Sequence, residues 1–178
     1  MNSTLIKLAG RLVVIFTVIS LLMNANCSAQ QKNDTLAIAR KLRNDKKFYA
    51  SIDLLKLYIS HHPKNLDANL LLAQTLYWDK QVKASELAYE KTIMENPGNY
   101  YLKLDYAKML VELGEIDKAQ PLLNTYLTYD AISADALIAL AKIAYIKKDY
   151  NLALSYTNQA LNNNPTLLGT FLFGSIKK

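Results

Sequence analysis

The chain has 178 residues, 51% of them hydrophobic and 20% charged, with a formal net charge of +6. That apolar content supplies a core and excludes a disordered chain, and a basic excess this mild lacks the dense cationic face of a nucleic-acid binder. Five glycines and four prolines are too few for the many turns of an all-β domain.

Residues 1–29 read as a secretory signal peptide. Lys7 and Arg11 give a positive start, residues 12–23 (LVVIFTVISLLM) are apolar apart from Thr17 and Ser20, and the polar stretch NANCSA follows. The apolar run is short of the roughly 20 residues that span a bilayer. A retained anchor would have to reach back through Ile6, Leu8 and Ala9 and across Arg11. Cys27-Ser28-Ala29 places small residues three and one positions before Gln30, so cleavage is expected after Ala29. The alternative is acylation of Cys27 to give a lipoprotein, although Asn24-Ala25-Asn26 is unlike the lipobox that acylation requires. Cleavage removes the sole cysteine, leaving no thiol, disulfide or cysteine metal site. It also removes two of 21 basic residues and no acid, leaving 19 against 15 and a net charge of +4. The expected location is the periplasm or the outer-membrane periphery.

After a short extension over 30–33, the prolines mark a period. Pro63 and Pro97 are 34 residues apart, and Pro165 lies 68 beyond Pro97, with Ala131 at the skipped position. With these four as position 32, the repeats start at Lys32, Leu66, Tyr100 and Ala134. Position 8 is then Ala39, Ala73, Ala107 and Ala141, and position 20 is Ser51, Ser85, Ala119 and Ala153. Larger residues fill position 7 (Ile38, Leu72, Tyr106, Leu140) and position 17 (Phe48, Val82, Ile116, Tyr150). The pattern predicts helical hairpins, with first helices near 34–45, 66–79, 100–113 and 134–147. Second helices are expected near 48–62, 82–96, 116–130 and 150–163. Small residues at two fixed positions mark where the paired helices cross most closely, and stacking the hairpins buries a continuous core. The turns read KK, KQ, GE and KD, of which only Gly114 is a strong breaker. Pro121, just past the first turn of its helix, predicts a bend.

Period, proline and small-residue columns together resemble the tetratricopeptide repeat (TPR) family over residues 32–167. The resemblance implies an all-α fold, a right-handed solenoid of four hairpins in a domain spanning 34–167, closed by a short or truncated capping helix over 168–178. In register, Phe171 and Leu172 open that last helix and Ser175 takes its small position, while Gly169 and Gly174 weaken it. Two columns depart from the family pattern. Position 4, often Trp, is Thr35, Asn69, Lys103 and Leu137. Position 27, usually Ala, is Tyr58, Thr92, Tyr126 and Ala160, which predicts non-ideal stacking between hairpins. A narrower likeness rests on Tyr77-Trp78-Asp79, similar to the TPR-like leader of certain bacterial outer-membrane β-barrel proteins. No alternating strands follow Pro165 in this sequence, so that likeness implies a fragment or relative of such a protein.

The sequence holds no phosphate loop, zinc-protease histidine pair or nucleophile elbow, so neither an enzyme nor a cofactor is expected. His61-His62 ends a helix, and adjacent helical residues point about 100° apart, so dipole complementation is favoured over metal binding. Trp78 reads as wedged between hairpins rather than stacked on a ligand. In TPR proteins the first helices line a concave face and positions 2, 5, 9 and 12 commonly touch partners. Position 9 is Arg40, Gln74, Lys108 and Lys142; position 5 is Leu36, Leu70, Leu104 and Ile138; position 12 is Arg43, Tyr77, Val111 and Tyr145. The resemblance implies a groove with a mostly basic column beside an aliphatic one. Its expected partner is a protein or peptide, an amphipathic segment with acidic or carbonyl-rich positions. The alternatives are that the chain's own tail folds back over the stripe, or that a tighter superhelix buries it. Some TPR domains clamp a terminal carboxylate with Lys at position 5 and Asn at position 9, and that clamp is absent here.

Overall fold

The computed structural model describes residues 35–166. The expected signal peptide with Cys27, the 30–33 extension and the capping segment 168–178 lie outside the described residues. Within them the chain forms eight helices and no strand. These are α1 (35–44), α2 (Phe48–His61), α3 (Leu66–Trp78), α4 (Val82–Glu95), α5 (Tyr100–Leu113), α6 (Ile116–Tyr129), α7 (Ala134–Ile146) and α8 (Tyr150–Asn163). The boundaries fall within one residue of those the 34-residue period predicts. The helices group into two compact units, α1–α3 and α4–α8, divided between Asp79 and Lys80.

The turn between helices uses one device at position 15 of every repeat. Lys46, Lys80, Gly114 and Lys148 all have positive φ, between 61° and 80°. At three of these turns the hydrogen bonds follow one pattern. The amide of Lys47 donates to the Leu42 carbonyl at 2.8 Å, that of Glu115 to Leu110 at 2.9 Å, and that of Asp149 to Ala144 at 2.9 Å. A left-handed residue that closes such a bond ends a helix and satisfies its last carbonyls. Glycine meets the backbone demand without strain, whereas an L-residue there costs roughly 1–2 kcal/mol. Lys46, Lys80 and Lys148 bear that cost because the flanking helices fix the turn.

At the other end of the repeat the first helices are capped by short polar side chains. Asn65 Oδ1 accepts from the Ala68 amide at 3.0 Å, opening α3, and Ser133 Oγ accepts from the Ala136 amide at 3.5 Å, opening α7. Asp149 caps the second helix α8 in the same way, through the Leu152 amide at 3.0 Å. Each satisfies an amide that the first helical turn leaves without a partner.

The small positions are where helices meet. In the first unit Ala39 and Ser51 are fully buried, and Ser51 Oγ donates to the Ala39 carbonyl at 2.9 Å, joining positions 20 and 8 of one repeat. Leu36, Leu55, Tyr58, Ala68 and Leu71 complete the core around that crossing. In the second unit Ala107 and Ala119 have no exposure, and α7 packs against both α5 and α6.

The large residues at position 27 do not loosen the stacking as expected. Tyr58 and Tyr126 are buried. The Tyr58 hydroxyl accepts from Asn65 Nδ2 at 3.4 Å, and that of Tyr126 hydrogen-bonds the Ser133 side chain. Both tyrosines thus reach the residue that caps the following first helix. Pro121 lies inside α6, which runs from Ile116 to Tyr129. Asp117, four residues before, carries the carbonyl that a proline ring leaves without a helical partner, and both residues lie on the exposed side of the helix.

Candidate partner-binding face

In the first unit the sequence-selected residues divide between core and surface. Leu36 is 3% exposed and belongs to the core, Leu70 is half-buried, and Arg40 is exposed. Arg43 is held across the unit, with Nη1 donating to Gln74 Oε1 at 2.9 Å. Tyr77 lies edge-on to Trp78, with ring centroids 6.4 Å apart. Trp78 is 59% exposed, so it is not the wedge that its turn position implied. His62 stacks on Tyr58 at 4.3 Å while His61 is exposed. No group of three or more potential metal ligands comes together among the described residues.

In the second unit Leu104 is 8% exposed and Ile138 half-buried, and Val111 of the position-12 column is 6% exposed. The expected open stripe is therefore not present at Leu36 or Leu104, because neighbouring side chains cover it. Lys108 is not an isolated cation. Its Nζ lies 2.7 Å from Asp135 Oδ2, an acid at position 2 of the next repeat. Both side chains remain about half exposed, so the pair contributes little to stability, but it neutralises one member of the basic column.

What the second unit does assemble is a cleft of about 360 Å³. Ile138, Lys142 and Tyr145 of α7 line it, with Val111 and Glu112 of α5 and Ala153 and Thr157 of α8. Its floor is apolar, Lys142 and Glu112 bring opposite charges to the rim, and Tyr145 stands 66% exposed against Tyr150, edge-on at 5.6 Å. Four residues of the columns chosen from the sequence converge here, Val111, Ile138, Lys142 and Tyr145. Ala153 and Thr157 lie on a second helix, which the family's contact positions do not include. Their signal was the repeat itself, since the equivalent Ala119 and Leu123 of the third repeat are fully buried.

A tyrosine cluster stands apart from this cleft. Tyr106 stacks on Tyr89 at 5.1 Å and donates to Glu90 Oε1 at 3.1 Å, while the Tyr89 hydroxyl donates to Asp105 at 2.6 Å. Burial, followed by the charge of Glu90, pushes the Tyr106 hydroxyl well above the usual tyrosine range.

The hairpins, their close small-residue crossings and their 34-residue spacing are those of the tetratricopeptide-repeat fold, and the tetratricopeptide repeat family model matches residues 86–143. Among solved structures the chain is similar to MamA from Desulfovibrio magneticus RS-1, at 12% identity over 74% of each chain with a TM-score of 0.65. A second crystal structure of MamA matches at 16% identity, covering 76% of this chain and 79% of that one, also with a TM-score of 0.65. MamA MSR-1 matches at 18% identity over 74% and 75% of the two chains, with a TM-score of 0.61. At these identities the likeness is one of fold. No curated protein matches the chain by sequence.

Proposed function

We propose that this chain is an exported, non-catalytic scaffold that holds a segment of another protein, and that the second unit takes that segment at the cleft beside α7. The observation that carries the reading is the convergence of Ile138, Lys142 and Tyr145 on one cleft with an apolar floor. TPR-type scaffolds mediate protein–protein contacts through such repeat surfaces, although fold alone does not name a ligand. The cleft fits an apolar side chain of the partner, and Lys142 fits an acidic or carbonyl group beside it. Tyr145 supplies the large, rigid amphipathic contact that anchors many interfaces. The Lys108–Asp135 pair narrows the cationic contribution to Lys142 in this unit. We place the protein in the bacterial envelope on the strength of its first 29 residues. Capture from envelope fractions on the immobilised mature chain tests the reading. A partner retained by the native chain and lost with Tyr145→Ala supports it, and retention unchanged by that substitution refutes it.

A further inference from the structure

We infer that the basic end of the α1–α2 hairpin docks on an anionic lipid surface, with Lys41, Lys46 and Lys47 meeting headgroup phosphates and Ile38 and Tyr49 resting among them. The observation behind it is a charge asymmetry that the mild net charge conceals. Residues 40–47 hold five cations, Arg40, Lys41, Arg43, Lys46 and Lys47, against the single acid Asp45. The same eight positions carry one cation in the second repeat (Lys80), one in the third (Lys108) and three in the fourth. Over the described residues the first unit has seven basic and four acidic side chains, whereas the second has nine and ten.

Position 10 shows that α1 is built differently from its counterparts. Thr75, Met109 and Ile143 are buried there, and Lys41 is exposed. Position 7 is buried as Tyr106 and Leu140, while Ile38 is 53% exposed. One arc of α1 thus presents Ala37, Ile38, Arg40, Lys41 and Asn44 to solvent. A lysine at this position suits water or an anion and not the apolar flank of another helix. Arg43 is engaged by Gln74. Among the described residues no ion pair involves Arg40, Lys41, Lys46 or Lys47, and the pairs that do form lie in the second unit. The turn gathers these charges. Lys46 takes a φ of 61° and the Lys47 amide donates to the Leu42 carbonyl, so the end of α1 and the start of α2 share one end of the hairpin. Tyr49, 76% exposed, follows in the first turn of α2. An amphipathic tyrosine ring favours the headgroup level, and lysine stems lie along apolar surface while their heads stay in water. Each cation beside an anionic leaflet raises partitioning by a factor of about five, and the attraction decays over about 8 Å at physiological salt.

Lipid is chosen over other polyanions because of the proposed envelope location, and the docking is independent of the α7 cleft. The test is flotation of the mature chain, Gln30–Lys178, with phosphatidylcholine vesicles that contain or lack phosphatidylglycerol. Flotation with the anionic vesicles alone, lost at high salt, is expected. Lys41→Gln with Lys47→Gln should weaken it about 25-fold, two factors of about five. Lys83→Gln with Lys91→Gln on α4 should leave it unchanged. All four lysines are exposed, so each double variant should keep the native circular dichroism. No flotation, equal flotation with both vesicles, or equal weakening by the α4 pair overturns the proposal. Release by inorganic phosphate, but not by chloride at the same ionic strength, overturns it in favour of a discrete phosphate site. Retention on DNA or polyglutamate through Lys41 and Lys47, without vesicle binding, overturns it in favour of another polyanion. Partner capture unchanged by Tyr145→Ala counts against the proposed function and leaves vesicle binding intact.

Discussion

Replacing Gly114 with alanine isolates what the left-handed turn contributes, because the site offers no steric conflict. A Cβ at Gly114 meets nothing within 4 Å, so the cost is confined to the backbone at φ 80°. An L-residue in that region is disfavoured by about 1–2 kcal/mol, while alanine reduces unfolded-chain entropy and returns about 0.4–1 kcal/mol. The net loss is then about 0.5–1 kcal/mol, and the urea midpoint should fall by roughly 0.3–0.5 M for a denaturant slope near 2 kcal/mol/M. The reverse exchange, Lys148→Gly at φ 63°, should raise the midpoint by a similar amount. Urea melts followed by circular dichroism read both variants, with the slope checked for constancy. A Gly114→Ala midpoint equal to or above the native one, together with a lowered Lys148→Gly midpoint, would refute the shared turn conformation at position 15.

Ala107→Leu inserts three carbons at a fully buried crossing and should cost about 1–3 kcal/mol by thermal or chemical melting. Tyr106 is held neutral by burial and by Glu90, so the folded state retains a proton that the unfolded chain releases near pH 10. Stability should therefore fall as pH rises above about 10, and Tyr106→Phe should flatten that limb of a stability–pH curve. Intact-mass analysis of the exported protein should give an N-terminus at Gln30, whereas a diacylated Cys27 would move the protein to a membrane surface.

Much of the fold was legible because close helix crossings restrict residue type severely. Only Ala or Ser occupies positions 8 and 20, so the crossing points and the period could be read together, and the helix ends followed. The left-handed turns were less visible. Gly114 announced itself, but Lys46, Lys80 and Lys148 have no turn preference of their own, and the register imposes their conformation. The position-27 tyrosines looked too large because a sequence column shows bulk and not direction. Their hydroxyls meet Asn65 and Ser133, the caps of the next helices. The same limit applies to the site. Periodicity placed Leu36 and Leu104 on the first helices but could not say how far neighbouring side chains cover them. The pairing of Lys108 had a readable signal, since Asp135 stands 27 residues on, at a position that adjoins position 9 of the preceding repeat.

The central claim is that the α7 face of the second unit holds a partner. The most direct measurement compares partner affinity, at two salt concentrations, for Lys142→Glu with Tyr145→Ala against an outer-face control, Lys91→Glu. Lys91 lies on α4 within 3.9 Å of Glu95 and away from the cleft lining. The α7 pair should weaken binding and reduce its salt sensitivity, because charge attraction beyond about 8 Å is screened at physiological ionic strength, while the control should leave both unchanged. If the control impairs capture and the α7 pair does not, the partner does not bind at this face.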